Sequence, residues 1–386
     1  MSREYRECRR CVLDTSAIDI SFDSEGNCNY CSEFLRRFQR DRVPSDQGPD
    51  LDELIYRIKR DHRGKRYDCV VGVSGGVDSS WVLVRAVELG LRPLAVHMDN
   101  GWDSELAQSN IANLIRGLGV DLYTHVIEWG HYRDLMRAFI DADVLDIELL
   151  YDNAMQRVNF QQGARFGVRA FITGSNQATE GILLPANWFW MKYDRRNIRG
   201  LARSAGVRPQ ATFPAIGVAQ LAYYRLGRRI REIPLLDYES YVKEESLARL
   251  ELEFGYRRYP YKHYESIFTR FYQGVILPRK FGIDKRRLHL SNLVVTGQLT
   301  RDEALQELEE SPMGSSRLEE IEFDYVIKKL GYSRAEFDDY LARPGRSHAD
   351  FPSERWVTDL LKRGRSIVRR SAGRVSGFSG FFLGKV

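Results

Sequence analysis

The stretch 70-VVGVSGGVDSS-80 places a run of valines directly before two glycines. Valine runs of this kind are typical of a strand that is buried on both faces of a parallel sheet. Gly75 and Gly76 lack a Cβ, which permits a sharp turn and lets an anion approach the backbone amides at the start of the following helix. The stretch therefore predicts a strand, a tight anion-binding turn and a helix.

Polar side chains surround the two glycines. Three hydroxyls can donate hydrogen bonds to phosphate oxygens, and they belong to Ser74, Ser79 and Ser80. Asp78 is a poor neighbour for phosphate by charge alone, but it can bind a magnesium ion that the phosphate oxygens share. Together these residues predict a pyrophosphate-binding loop.

Strands and helices alternate on both sides of the loop. Hydrophobic runs predict strands at 67–73, 91–99, 121–128 and 168–174. Helical periodicity precedes or follows each of them, at 51–62, 81–90, 104–119, 132–143 and 151–167. This alternation predicts an α/β fold, with a parallel sheet and helices on both faces. Ligands of such sheets bind at the carboxyl ends of the strands, which is where the glycine loop lies.

Four of the five cysteines fall within the first 31 residues, in two CxxC pairs. Cys8 pairs with Cys11, and Cys28 pairs with Cys31. Two such pairs supply four thiolates at tetrahedral reach, which favours a structural zinc site over disulfides in a reducing cytoplasm. An iron–sulfur cluster also binds four cysteines, but the ribbon-like spacing favours zinc. Cys69 lies in a predicted strand, where we expect a small buried core residue.

Four segments are predicted along the chain. A zinc-binding, ribbon-like segment at 1–45 precedes a nucleotide-binding α/β domain at 50–205. The strand signal then fades, and 206–360 is predicted to be a mostly helical region for substrate or partner. Its helices are expected at 214–230, 240–255, 318–331 and 333–343. The last segment, 361–386, is a basic tail to which no function is assigned.

Composition and charge exclude several classes of protein. The chain has 386 residues, of which 43% are hydrophobic and 29% charged, as in a globular protein. The net charge is +5, but seven basic residues and no acidic residue follow Asp359. The chain up to Asp359 is therefore slightly acidic, and we expect no nucleic-acid partner. No apolar run approaches the roughly 20 residues that span a bilayer, and no apolar signal segment opens the chain. We expect no membrane span and a cytoplasmic location.

The loop differs from the two other common phosphate-binding patterns, GxxxxGK[ST] and GxGxxG. The string SGGVDSS after a strand resembles the signature of the N-type ATP-pyrophosphatase (PP-loop) superfamily, whose fold is adenine nucleotide alpha hydrolase-like. That superfamily contains GMP synthetase, asparagine synthetase, NAD synthetase and tRNA thiolases. The resemblance implies that ATP is split between its α and β phosphates. A carbonyl or amide oxygen is adenylated, pyrophosphate leaves, and a nitrogen or sulfur nucleophile displaces AMP.

The end of the second predicted strand carries two candidate nucleotide contacts. The segment 96-VHMDNGW-102 lies where the next loop would meet the adenosine. His97 and Asp99 are therefore candidates for contact with the ribose or the adenine. A histidine within a strand is about as often a core residue, so both interpretations of His97 stay open.

A further predicted strand end, 172-ITGSNQATEG-181, is similar to the second nucleotide-side motif of the superfamily. Its candidate residues are Gly174, Asn176 and Glu180. In that motif a glutamate joins the loop aspartate on magnesium, so the resemblance implies that Asp78 and Glu180 share the ion. Two carboxylates on one magnesium suit a site in which the leaving pyrophosphate develops negative charge.

The stretch 256–305 interleaves aromatic and charged residues. Its segments KHYESIFTRFYQG and LPRKFGIDKRRLHLS, taken with the CxxC pairs and SGGVDSS, resemble the N-acetyl sugar amidotransferases of bacterial surface-polysaccharide and flagellin-sugar biosynthesis. The resemblance spans residues 8 to about 305. It makes Lys262, Lys280 and Lys285 candidates to neutralise pyrophosphate or the charges of a sugar substrate. His263 and Glu265 are candidates to manage the ammonium proton.

The resemblance implies a defined reaction on a lipopolysaccharide O-antigen or nonulosonic acid precursor. An N-acetyl sugar, expected to be UDP-linked, would present its amide oxygen to the α phosphate of ATP. Ammonia would then displace AMP and convert the acetamido group to an acetamidino group. None of the five cysteines suits a glutaminase nucleophile, so ammonia is expected from another source. The resemblance implies that this source is a separate class I glutaminase with a cyclase-like barrel partner.

Two alternatives of other classes stay open at this point. A tRNA-thiolating enzyme can also carry this loop and zinc-binding cysteines, but it would need sulfur chemistry and a basic body for the RNA backbone. A non-catalytic nucleotide-binding module would not explain the two magnesium carboxylates or the lysine-rich stretch.

Overall fold

A computed structural model describes residues 4–41, 50–208, 212–259 and 264–360 of the chain. Its centre is a five-stranded sheet in the order β3-β2-β1-β4-β5, and every neighbouring pair of strands is parallel. The strands are β1 Cys69–Gly72, β2 Pro93–Asp99, β3 Asp121–Val126, β4 Ala170–Thr173 and β5 Arg231–Pro234.

Helices connect the strands and build the rest of the chain. From the N-terminus to β4 they are α1 Asn29–Asp41, α2 Leu51–Asp61, α3 Val77–Glu88, α4 Glu105–Leu118, α5 Trp129–Asp141 and α6 Leu149–Phe166. Around β5 they are α7 Gln177–Glu180, α8 Arg195–Ser204, α9 Val218–Ala222 and α10 Lys243–Phe254. The last helices are α11 Ile267–Phe271, α12 Arg286–Val295, α13 Arg301–Glu309, α14 Ser316–Leu330 and α15 Arg334–Ala342.

Both faces of the sheet are covered by helices, as the valine run predicts. Val70 packs into a core that contains residues of α5 and α6, whereas Val71 packs into a second core with residues of α3 and α4. Successive side chains of a strand point to opposite faces, so α3 and α6 lie on opposite sides of β1. The predicted α/β fold with a parallel sheet is confirmed.

One strand lies where the sequence predicts only helices. β5 pairs with β4 beyond residue 205, inside the region expected to be helical. Its sequence, REIP, has only four residues, one of which is buried, so it shows no recognisable alternation. The helix predicted at 214–230 is correspondingly short, since α9 covers Val218–Ala222 and a π-helical turn at Tyr223–Gly227 then leads into β5.

The other helices predicted in this region are present as α10, α14 and α15, each within a few residues of its expected bounds. The basic tail at 361–386 lies outside the described residues. Within the described parts of the chain, no helix is long and apolar enough to cross a membrane.

Candidate functional site

The glycine loop turns sharply between β1 and α3. Gly75 has a φ of +83°, a left-handed conformation that a residue with a Cβ rarely adopts. A Cβ there would also lie 3.0 Å from the Ala107 carbonyl oxygen in α4. Gly76 is the N-cap of α3, and the orphan amides of the first helical turn follow it. The loop thus has the backbone geometry of an anion-binding site.

Two of the three predicted hydroxyl donors lie together on this turn. Ser74 Oγ and Ser79 Oγ are 3.1 Å apart, and both residues are half-buried. Ser80 differs, because its side chain is 1% exposed and points into the interior. Its hydroxyl has no hydrogen-bond partner among the described residues. The structure therefore places Ser74 and Ser79, but not Ser80, where a bound phosphate could reach them.

Asp78 contacts a tyrosine that the sequence does not single out. The phenol of Tyr241, just before α10, donates a hydrogen bond to Asp78 Oδ1. Burial, reinforced by the Asp78 carboxylate and then by Glu180, raises the pKa of Tyr241 far above its usual range. Asp78 and Glu180, the two predicted magnesium ligands, therefore both act electrostatically on this phenol.

The end of β4 packs directly on the loop. A Cβ on Gly174 would lie 2.8 Å from the backbone carbon of Asp78, so only glycine permits this approach. Asn176 is 1% exposed and caps α7, accepting from the Thr179 amide at 2.8 Å. Glu180 is exposed at the end of that helix. Gly174 and Asn176 thus shape and hold the turn that presents Glu180.

His97 lies behind the loop with both ring nitrogens engaged. Nδ1 is 2.9 Å from the Val73 carbonyl oxygen, and Nε2 is 2.9 Å from Asp103 Oδ2. Burial lowers the pKa of His97, but the Asp103 carboxylate more than offsets this, so the net pKa is raised. The ring links the end of β1 to Asp103. These contacts are typical of a core histidine and leave no ring nitrogen for adenosine. Asp99 is half-buried and accepts from the Gly101 amide at 2.8 Å, which fixes the turn after β2.

Two further tyrosines hold the loop from the outside. The phenols of Tyr256 and Tyr259 donate to the Gly75 carbonyl oxygen at 2.9 Å and 3.1 Å. Burial raises the pKa of both phenols, so they remain neutral donors. Neither these residues nor Tyr241 could be identified from spacing, because they come from a segment that is distant in sequence.

Glu265 is brought to the glycine loop by a backbone connection. The Ser104 amide donates to the Glu265 carbonyl at 2.9 Å, and the Ile267 amide donates to the Trp102 carbonyl at 2.9 Å. The segment after β2 and the segment before α11 thus pair as a short antiparallel bridge. A Cβ on Gly76 would lie 3.4 Å from Glu265 Oε1, which places this carboxylate beside the loop.

The predicted lysines occupy different places. Lys285 forms an ion pair with Glu148, the N-cap of α6, at 3.1 Å. Lys280 is fully buried and donates to Asp143, to the Tyr340 carbonyl and to the Arg343 carbonyl. Its three donors are therefore used inside the protein, and the expectation that Lys280 binds substrate is wrong. Lys262 and His263 lie outside the described residues.

The four N-terminal cysteines form one compact group. Cys8 and Cys31 have sulfur atoms 3.8 Å apart, Cys11 and Cys28 have theirs 3.7 Å apart, and all four side chains are fully buried. Tetrahedral zinc with Zn–S bonds of about 2.3 Å requires sulfur separations of about 3.8 Å. An iron–sulfur cluster would hold the thiolates farther apart, since each binds a different metal atom. The geometry is therefore compatible with a single zinc ion.

Hydrogen bonds and an ion pair attach the cysteine group to two C-terminal helices. Arg301 of α13 donates to the carbonyl oxygens of Cys8 and Cys11 at 3.0 Å and 3.1 Å. Arg287 of α12 pairs with Glu7 at 2.7 Å. The cysteine-containing segment is thus an integral part of the fold.

The same elements also support the turn that carries Glu180. A Cβ on Gly181 would overlap the ring of Phe34 in α1. The Ile182 amide donates to Asn292 Oδ1 of α12 at 2.7 Å. The cysteine segment and the C-terminal helices therefore meet at the predicted magnesium ligand.

Comparisons with known proteins identify one part of the chain. Residues 265–364 match the family model described as LPS biosynthesis protein WbpG-like, C-terminal domain. No curated protein sequence matches the chain.

Solved structures resemble the fold only distantly. The U34-tRNA thiolase NcsA from Methanococcus maripaludis, with its [4Fe-4S] cluster, is 12% identical, with 80% of this chain and 89% of that chain covered at a TM-score of 0.32. The NH3-dependent NAD synthetase from Campylobacter jejuni is 15% identical, with 58% and 93% covered at a TM-score of 0.28. The NMN synthetase from Francisella tularensis is 15% identical, with 56% and 100% covered at a TM-score of 0.27. Likenesses at these TM-scores carry no argument about function.

The family match begins at Glu265, the residue that the backbone bridge brings to the glycine loop. The resemblance inferred from the sequence is thereby confirmed for residues 265–364, which are similar to the C-terminal domain of WbpG-like lipopolysaccharide-biosynthesis proteins.

Proposed function

We propose that this protein is an ATP-dependent amidotransferase that converts an N-acetyl group of a bacterial surface-polysaccharide sugar to an acetamidino group. The observation that carries the proposal is the position of Glu265 beside Gly76. Glu265 belongs to the segment 265–364 that matches the lipopolysaccharide-biosynthesis family, and its carboxylate lies beside a loop with the geometry expected of a pyrophosphate site. An enzyme that activates a sugar amide with ATP needs both at one place.

The loop and its neighbours are suited to hold the nucleotide. The amides that follow Gly76 and the hydroxyls of Ser74 and Ser79 would bind the pyrophosphate end of ATP. Asp78 and Glu180 would hold a magnesium ion, which neutralises charge on the leaving pyrophosphate when it is bound. The cysteine quartet would hold a structural zinc ion, because every ligand position is filled by the protein.

The substrate would occupy the space between the loop and the N-terminus of α6. Burial, followed by the Asp103 and Asp152 carboxylates and then by Glu265, raises the pKa of Tyr151 in the first turn of that helix. The Lys285–Glu148 pair lies on the same turn. Lys285 would meet the negative charge of a nucleotide-linked sugar here, and Tyr151 would remain a neutral hydrogen-bond donor.

The proposed reaction balances without any further reactant. The amide oxygen attacks the α phosphorus of ATP, the bond between the α phosphorus and its bridging oxygen breaks, and pyrophosphate leaves. Ammonia then attacks the activated carbon, and AMP leaves with the former amide oxygen. Glu265 would accept a proton from the attacking nitrogen. The products are the acetamidino sugar, AMP and pyrophosphate.

The test uses the purified chain, MgATP, an ammonium salt and a panel of UDP-linked N-acetyl sugars. We expect sugar-dependent formation of AMP and pyrophosphate. Mass spectrometry should find the small mass decrease that follows when an imino nitrogen replaces a carbonyl oxygen. Formation of ADP and phosphate would contradict the adenylation step.

The tRNA-thiolating alternative finds less support at this site. Cys69, the thiol outside the quartet, is fully buried in β1, and burial raises its pKa. A sulfur carrier needs an accessible thiolate. Salt-sensitive binding of bulk tRNA in a gel-shift assay would revive this alternative.

A further inference from the structure

A polar cavity lies away from the glycine loop. It has a volume of about 350 Å³ and lies among α5, α6, α8 and the segment 212–220. α6 packs on the face of the sheet opposite to α3, so this cavity is separate from the loop that precedes α3. The proposed function makes no use of it.

The walls of the cavity are strongly basic. Three guanidinium groups reach it, Arg157 from α6 and Arg195 and Arg199 from α8. His125 and His131 also line it, and none of the described residues that line it is an aspartate or a glutamate. Burial lowers the pKa of both histidines, so the positive charge of the cavity comes from the three arginines.

The arginines have few partners of opposite charge. Arg157 donates to the Tyr224 hydroxyl and stacks over its ring, both of which are neutral contacts. Glu354 is the acidic neighbour of Arg195. Within the described parts of the chain, Arg157, Arg195 and Arg199 form no ion pair. Burial, together with charge repulsion from Arg199 and Arg157, lowers the pKa of Arg195, and this repulsion is a cost in free energy that a bound anion would offset.

We infer that this cavity binds a phosphate-bearing small molecule through Arg157, Arg195 and Arg199. Guanidinium groups match phosphate oxygens in bidentate pairs, which favours phosphate over a single carboxylate. The volume is at the low end for small-molecule sites, enough for a phosphate or diphosphate group and part of its ester. A cavity of this size does not suit a polynucleotide, which tracks along an extended basic surface.

The inference is independent of the proposed function, and its test is built to remain so. Isothermal titration calorimetry would use the full chain with magnesium and saturating α,β-methylene-ATP, which fills the glycine loop. Inorganic pyrophosphate and UDP are the probes, and uridine is the uncharged control. We expect both probes to bind and uridine not to bind.

The decisive variant is Arg199→Gln. Arg199 is exposed, so its replacement should leave the fold intact. Loss of a charge-assisted contact should weaken binding of both probes roughly tenfold or more. Arg196→Gln is the matched control, since Arg196 is exposed on the same helix and does not line the cavity.

The inference is overturned if neither probe binds, if Arg199→Gln leaves their affinity unchanged, or if Arg196→Gln weakens it equally. Binding of a short RNA that is lost in Arg199→Gln, without binding of pyrophosphate, would also overturn it. Formation of AMP in the amidotransferase assay depends on the glycine loop, so failure of one idea is distinguishable from failure of the other.

Discussion

Tyr241 donates a hydrogen bond from its phenol to Asp78, which joins the segment before α10 to the first turn of α3. Burial together with the nearby carboxylates of Asp78 and Glu180 raises the pKa of this phenol. The proton therefore stays on Tyr241 at neutral pH, and Tyr241 acts as a fixed donor that orients the Asp78 carboxylate. Tyr241 is a positioning residue for the proposed magnesium site.

Replacing Tyr241 by phenylalanine should slow turnover without unfolding the protein. A hydrogen bond to a charged group contributes about 1.5–3 kcal/mol. If this bond orients Asp78 in the transition state, its loss should lower the rate of AMP formation roughly tenfold or more. Raised magnesium should recover part of the rate, a response that a merely structural role would not give. Tyr223→Phe is the control, because that ring is 55% exposed. Equal rates for both variants would refute the positioning role.

Two substitutions of Asp78 should differ in their effect on the stability of the protein. Asp78→Asn retains an acceptor for the Tyr241 hydroxyl but loses the charge that binds magnesium, so turnover should be abolished while thermal stability is kept. Asp78→Ala also leaves the buried Tyr241 hydroxyl without this acceptor, which should cost a further 1–3 kcal/mol or so of stability. Denaturant unfolding of the two variants separates these effects. Appreciable AMP formation by Asp78→Asn would exclude Asp78 as a required magnesium ligand.

The sequence predicts the site best where local chemistry is sufficient. The β1–loop–α3 unit and the cysteine quartet follow from short motifs whose residues are adjacent or regularly spaced. Tyr241, Tyr256 and Tyr259 reach the loop only through packing of α10 against α3 and the return of the chain toward Gly75. No local pattern distinguishes such tyrosines from core residues.

For Lys280 the sequence predicts a role in binding that the structure does not support. Its position in a lysine-rich stretch favours a role in substrate binding, but it follows the buried Ile276 and Leu277 in a π-helical segment. The acceptor that makes its burial tolerable, Asp143, is supplied from the end of α5. A sequence shows the charge, whereas only the tertiary structure shows that the charge is paired.

Zinc should stabilise more than the segment that binds it. We expect about one zinc ion per chain and its loss in Cys11→Ser. Because Arg301 binds the carbonyl oxygens of Cys8 and Cys11, amide hydrogen exchange should also rise in α12 and α13. Cys69→Ala is the control and should keep its zinc. Iron with visible-light absorbance in carefully prepared protein would contradict the zinc assignment.

His348 should make stability fall at acid pH. Its Nε2 accepts from the Asp146 amide at 3.0 Å, so that nitrogen carries no proton, and Nδ1 is 2.7 Å from Asn197 Oδ1. Burial lowers the pKa of His348 to about 4, from its ordinary value of 6.5. Above pH 6.5 the ring is neutral in both states and the contribution to stability is complete. As the pH falls from 6.5 toward 4, the unfolded chain binds a proton that the folded chain does not, so stability is lost.

The size of this effect is about 3 kcal/mol by pH 4, at about 1.4 kcal/mol for each pKa unit. His348→Gln should be less stable at pH 7 and should show a shallower loss of stability between pH 7 and pH 4.5. Urea unfolding at both pH values measures this. A parallel loss in wild type and variant would show that His348 does not remain neutral in the fold.

Nitrogen should enter the reaction as ammonia and not from glutamine hydrolysed by this chain. A glutaminase needs a reactive cysteine nucleophile. Four of the five cysteines form the buried quartet, and burial of Cys69 in β1 raises its pKa and keeps it from solvent. We therefore expect the purified protein to use high ammonium but not glutamine, with a rate that rises with pH as more ammonia is unprotonated.

Addition of a cognate class I glutaminase and its barrel partner should restore glutamine-dependent turnover, because direct delivery protects the adenylate from water. The control is Cys69→Ala, which should keep full ammonium-dependent activity. Glutamine-dependent amidination by the chain alone, lost in Cys69→Ala, would show that Cys69 is the nucleophile after all.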